Sequence, residues 1–130
     1  MLTLPVTLTI AAGAAILNIW LMMRCGQARG ASGVWIGDGG NDLLTRRMRA
    51  HANFAESAPF VLILLGALEA TGGTNNWLWG IGIIFIIGRL LHPLGMDGTF
   101  PSGRMIGSIL TALTLLVLAG WALWSVYSKL

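Results

Sequence analysis

The stretch Arg49-Ala-His51-Ala-Asn53-Phe-Ala-Glu56-Ser-Ala-Pro59 runs directly into the apolar segment Phe60 to Leu68. From Ala58 to Leu68 this segment is far short of the roughly 20 residues that a helix needs to cross a hydrocarbon core. A spanning helix must therefore start near Arg49 and carry a cation, an amide and a carboxylate with it. At about 100° per residue, Arg49, Asn53 and Glu56 fall at roughly 0°, 40° and −20° on the helical wheel, so they share one stripe. At a rise of ~1.5 Å per residue, Glu56 lies about 10 Å inside the helix end. Ionised groups at such a depth face protein or a wet cavity, because lipid does not solvate them. Two readings follow: a helix-helix ion pair that fixes packing, or a ligand site in which three polar types are stacked in register.

The rest of the chain agrees with a membrane setting. Of 130 residues, 55% are hydrophobic and only 10% are charged, the composition of a small polytopic membrane protein. Hydropathy predicts four spans, at residues 2–23, about 48–70, 77–91 and 105–127, leaving almost nothing for a soluble domain. Residues 1–130 therefore read as a single all-α domain, a four-helix up-down transmembrane bundle. The first span has no positive leader region and continues past Ala12-Gly13-Ala14, so it is expected to be a retained helix rather than a signal peptide. A lone cysteine, Cys25, excludes an internal disulfide and a multi-cysteine metal site.

The formal net charge of +3 is a topology signal rather than a nucleic-acid footprint. Arg24, Arg29, Arg46, Arg47, Arg49, Arg89 and Arg104 all fall near the first and third connections, and Lys129 alone lies at the opposite end. This bias predicts cytoplasmic first and third loops, with both termini on the other side. Trp77, Trp79, Trp121, Trp124 and Tyr127 cluster at the opposite ends of the third and fourth spans, where an interfacial belt belongs.

Gly26, Gly30, Gly33, Gly37, Gly39 and Gly40 are expected to break the helix after Arg24 and make the first connection long and irregular. Asn41 or Asp42 could cap a second helix that starts early. Pro93, Gly95, Gly98 and Pro101 should end the third helix. Gly80, Gly82 and Gly88, Gly103, Gly107 and Ser108, and Ala11 with Ala15 read as small-residue packing seams. Asn18 reads as interhelical glue, and Arg24, Arg46 and Arg47 as side chains that snorkel to lipid phosphates.

Arg89 and Arg104 lie on the same side as Arg49, so with Arg29 at least four cations surround one shallow, partly desolvated region. Low dielectric strengthens their pull on an anion, and arginine forks suit carboxylates. The expected ligand is small, with more than one carboxylate and an amide or cationic part for Asn53 and Glu56. Glutathione fits that description, and its thiol needs a nearby cation or donor to be largely thiolate at neutral pH. A hydrophobic partner would then arrive through the bilayer. Arg89 stays open between a structural pair with Glu56 and a ligand contact, and His92 between a helix-end or interface residue and a hydrogen-bond donor.

The spacing Arg49, Asn53, Glu56, Pro59, together with Gly88-Arg89-Leu90-Leu91-His92 followed by Gly95, resembles the MAPEG family, the membrane-associated proteins of eicosanoid and glutathione metabolism, and in particular its small bacterial members. The resemblance covers nearly the whole chain. It implies a left-handed four-helix bundle in a bacterial inner membrane, assembled as a homotrimer, with glutathione as co-substrate between neighbouring subunits on the cytoplasmic side. By position it implies that Arg49, Asn53 and Glu56 take glutathione's charged and amide groups, with Arg29, Arg89 and His92 as further contacts, and that Arg104 stabilises the thiolate. The sequence departs from the leukotriene-synthase-like members at Ser57, His92 and Met96, where those have tyrosines. The activity implied is a glutathione-dependent transferase or peroxidase acting on lipophilic electrophiles or lipid hydroperoxides. The tyrosine departures motivate an alternative, a catalytically silent binding or scaffold protein of the same fold. A small four-helix exporter ranks behind both, because the first span holds no acidic residue.

Overall fold

The computed structural model describes residues 3–128. Lys129, the basic residue assigned to the opposite end, lies outside them. Four helices follow in order: α1 (Pro5–Ser32), α2 (Asp42–Gly72), α3 (Asn76–Met96) and α4 (Ser102–Tyr127). Each is long and apolar enough to cross a membrane.

The helices run up and down because their connections are short, and the core shows why they associate. Buried side chains recur at steps of three or four: Val6, Ile10, Ala14, Leu17 and Leu21 on α1, and Phe54, Ala58, Val61, Leu65 and Leu68 on α2. On α4 the same rhythm is carried by Gly103, Gly107, Thr111, Thr114 and Leu118. This spacing keeps one stripe of each helix against its neighbours. α2 and α3 each contact all three other helices, whereas α1 and α4 lie at opposite corners without touching among the described residues.

Two of the expected boundaries are overturned. α1 does not stop near Met23 but passes through Gly26 and Gly30 to Ser32, ending at Gly33 in the left-handed conformation at φ 69°. A glycine within a helix costs roughly 1 kcal/mol, and burial of Arg24 and Ala28 along this extension offsets it. α3 likewise continues past Pro93 to Met96 instead of ending at Leu91. Its last turn is held by the contact between Gly95 and the Gly103-Arg104 backbone. α2 does start early, with the Asn41 side chain accepting from Leu44 N–H at 2.9 Å.

The glycine seam is real between α3 and α4. A Cβ on Gly107 would sit 2.5 Å from the Gly88 carbonyl, and Gly103 packs as closely on the Leu91 carbonyl. Gly82 accommodates Ile10 of α1, whereas Gly80 faces open space. Ser108 is exposed and donates to the Arg104 carbonyl of its own helix. At the far end Trp77, Trp124 and Tyr127 are exposed, while Trp79 and Trp121 pack against the core.

Candidate functional site at the loop end of the bundle

The polar stripe of α2 is divided between two environments by the rotation of that helix. Phe54, Ala58, Val61 and Leu65 face the core and centre at roughly 150° on the wheel that puts Arg49 at 0°. Ser57, at about 80°, is buried. Asn53 is half-buried at the edge, and Arg49 and Glu56 are exposed. Among the described residues neither Arg49 nor Glu56 has a side-chain hydrogen bond or ion pair.

Within the chain the partners of Arg89 are Asn53 and Ser57, not Glu56. Its side chain lies between α2 and α3, with the residue 1% exposed. There Nη1 donates to Asn53 Oδ1 at 2.7 Å and to Ser57 Oγ at 3.4 Å. Glu56 is on the wrong side of α2 to meet it. Among the described residues Nε and Nη2 of Arg89 have no partner, and neither does Nδ1 of His92. His92 is not a helix-end cap, since α3 continues beyond it. It is buried in the α3–α4 contact, where a Cβ on Gly107 would lie 2.8 Å from its own Cβ.

Arg104 occupies the first turn of α4, is exposed, and makes no side-chain hydrogen bond or ion pair among the described residues. A cation there adds to the positive end of the helix dipole, so the two together favour an anion. Arg29 is committed to its own chain: Nη1 donates to the carbonyls of Val34 at 3.1 Å and Gly37 at 2.9 Å, and Nη2 contacts Met48 Sδ at 3.5 Å. These bonds clasp the first loop onto α1. Beside it an open groove of about 550 Å³ is lined by residues including Cys25, Arg29, Met48 and His51. Across the α1–α2 interface His51 Nε2 meets Asn18 Oδ1 at 2.8 Å, the interhelical contact expected of Asn18.

All three arginines assigned to lipid phosphates are paired with carboxylates instead. Arg24 and Arg47 both reach the carboxylate of Asp97, and Arg47 also donates to the Arg24 carbonyl at 2.9 Å. Arg24 is buried and stacks over Trp20 at 4.6 Å. Arg46 pairs along its own helix with Asp42. Asp97 went unnoticed in the sequence because it reads as a loop residue before Gly98. Its proximity to a basic cluster on the same side was the available signal.

Residues 7–124 match the model of the MAPEG family. The chain belongs to the MAPEG family. No curated protein and no solved structure matched it. As a MAPEG protein with four membrane-long helices it is an integral membrane protein, and membership supports a role related to glutathione in general. The family includes glutathione transferases and peroxidases as well as non-catalytic members.

Proposed function

We propose that this MAPEG protein is a glutathione-dependent transferase or peroxidase acting on lipophilic electrophiles or lipid hydroperoxides. In this reading glutathione is held on the cytoplasmic side, between subunits of a homotrimer in a bacterial inner membrane. The observation that carries the proposal is the set of exposed charges, Arg49, Glu56 and Arg104, without partners among the described residues on membrane-long helices. A charge facing lipid at helix depth costs several kcal/mol, so this lateral surface is expected to be covered by another subunit and wetted by a polar ligand. Two arginines and one carboxylate fit a zwitterionic peptide with more than one carboxylate. The arginine bias toward the first and third loops supports the cytoplasmic placement.

Each residue then has a task. Arg49 takes a carboxylate, Glu56 the α-ammonium group, and Asn53 an acceptor on the peptide. Arg104 and the α4 N-terminus stabilise the developing sulfur anion in this reading, and holding the thiol against the second substrate adds proximity. The thiolate would form the new bond to an electrophilic carbon as the leaving group departs with the bonding electrons. Arg29 supports the site by fixing the first loop, and Arg89 and His92 support it from inside the bundle.

Burial favours a second reading to a limited extent. Ser57 and His92, at tyrosine positions of the leukotriene-synthase-like relatives, are both buried, and a binder without thiol activation would need neither. Calorimetric titration of the purified protein with glutathione, alongside ultraviolet absorbance of the thiolate, separates the two. Heat of binding with thiolate formation supports the enzyme, binding without thiolate supports a silent binder, and no binding refutes the enzyme and makes the Arg49, Asn53 and Glu56 stripe structural.

A further inference from the structure

Arg89 is the largest fully buried side chain of the bundle, and it cannot itself reach a ligand on the lateral surface. A guanidinium only donates hydrogen bonds. At Asn53, therefore, only the amide oxygen can face it, and the 2.7 Å bond to Oδ1 fixes which way the amide is turned. Its Nδ2 makes no hydrogen bond among the described residues and is not enclosed.

The other groups in the pocket make this orientation hard to reverse. Ser57 Oγ spends its proton on the Asn53 carbonyl at 2.9 Å, leaving Arg89 a 3.4 Å contact. Nε and Nη2 of Arg89 are already without partners. A flipped amide would place N–H against N–H and strip Nη1 of its short bond. An unmet buried donor of this kind is what folded structures avoid.

We infer that Arg89 is a positioning residue, which turns the Asn53 amide so that its two N–H donors face the lateral surface between Arg49 and Glu56. The site is thereby made to select a carboxylate or carbonyl oxygen at that position. This inference rests on the glutathione reading for the identity of the ligand, but the orientation of the amide does not depend on it.

Asn53→Asp is the decisive variant. A carboxylate satisfies Arg89 at least as well as the amide, so the fold is kept, but the outward donor becomes an acceptor. The expected result is an unchanged or raised Tm with at least a tenfold loss of glutathione affinity. Full affinity in that variant would overturn the inference. Arg89→Lys, which keeps a donor, should retain affinity better than Arg89→Met, and Arg89→Met should add no further loss in an Asn53→Ala background. Additive losses would indicate a purely structural arginine. If wild-type protein binds no glutathione, the functional reading fails, and the orientation is decided without ligand. The side-chain amide ¹⁵N resonance of Asn53, assigned by its disappearance in Asn53→Ala, should move upfield in Arg89→Met but not in Arg89→Lys. An unmoved resonance in Arg89→Met would overturn the inference.

Discussion

Glu69, near the end of α2, closes the start of α1 by accepting twice from Thr7, at 2.8 Å from the backbone N–H and 2.7 Å from the hydroxyl. Val6 N–H and the Thr74 hydroxyl complete the carboxylate's partners, at 3.0 and 2.8 Å. α1 has no side-chain cap of its own, so a neighbouring helix supplies one. A negative group at the N-terminus also meets the positive end of the dipole.

Glu69→Ala should lower stability by about 3 kcal/mol, since bonds to a charged acceptor contribute roughly 1.5–3 kcal/mol each and their loss is partly relieved by water. Glu69→Gln, which keeps one acceptor oxygen, should cost less. Thermal unfolding in detergent micelles, compared across the two variants, tests the ranking.

Asp97 ties the end of α3 to Arg24 and Arg47. Removing it leaves two partly buried cations close together, so Asp97→Ala should cost about 3 kcal/mol and make the third loop susceptible to proteolysis. Arg46→Ala, which breaks only an exposed pair within α2, should change stability by less than about 0.5 kcal/mol.

Gly107→Ala would drive a methyl into the Gly88 carbonyl and His92. Separation of α3 from α4 should cost about 1–3 kcal/mol. Gly80→Ala meets open space and should be neutral or stabilising by up to about 1 kcal/mol through helix propensity. Equal effects in the two variants, measured as Tm shifts, would contradict the seam.

Arg104→Ala should leave the fold and glutathione affinity nearly intact, because its side chain has no partner among the described residues. Loss of thiolate stabilisation should reduce kcat by roughly 10²-fold. A change in KM alone, measured with a model electrophile, would move Arg104 from chemistry to binding.

Asp38, in the first loop, is held below the ordinary aspartate value of 3.8 by the Gly40 N–H and then by the Thr45 hydroxyl. A carboxyl with a depressed folded pKa supports the turn above its unfolded value and loses that support as pH falls through the folded one. The Gly40 amide resonance should therefore titrate with a midpoint below the ordinary aspartate value, and the titration should vanish in Asp38→Asn.

The number of helices, the end at which the arginines gather and the Arg49, Asn53, Glu56 register were legible along the chain, because hydropathy and helical periodicity are local properties. The end of α1 and the end of α3 were not. Gly26, Gly30 and Pro93 carry local penalties of about 1–3 kcal/mol, and only the packing of Arg24, Ala28 and Gly95 shows what outweighs them.

By itself, the sequence of this MAPEG protein determined a four-span membrane bundle with a polar stripe on its second helix. Which members of that stripe face inward was decided only by the tertiary structure. The rotation of α2 against α3 turns Asn53 and Ser57 toward Arg89 and leaves Arg49 and Glu56 outside. The same is true of Asp97 with Arg24 and Arg47, and of Glu69 with Thr7. Such pairs join residues tens of positions apart, and their geometry is set by how whole helices pack, for which no single stretch of sequence carries the information.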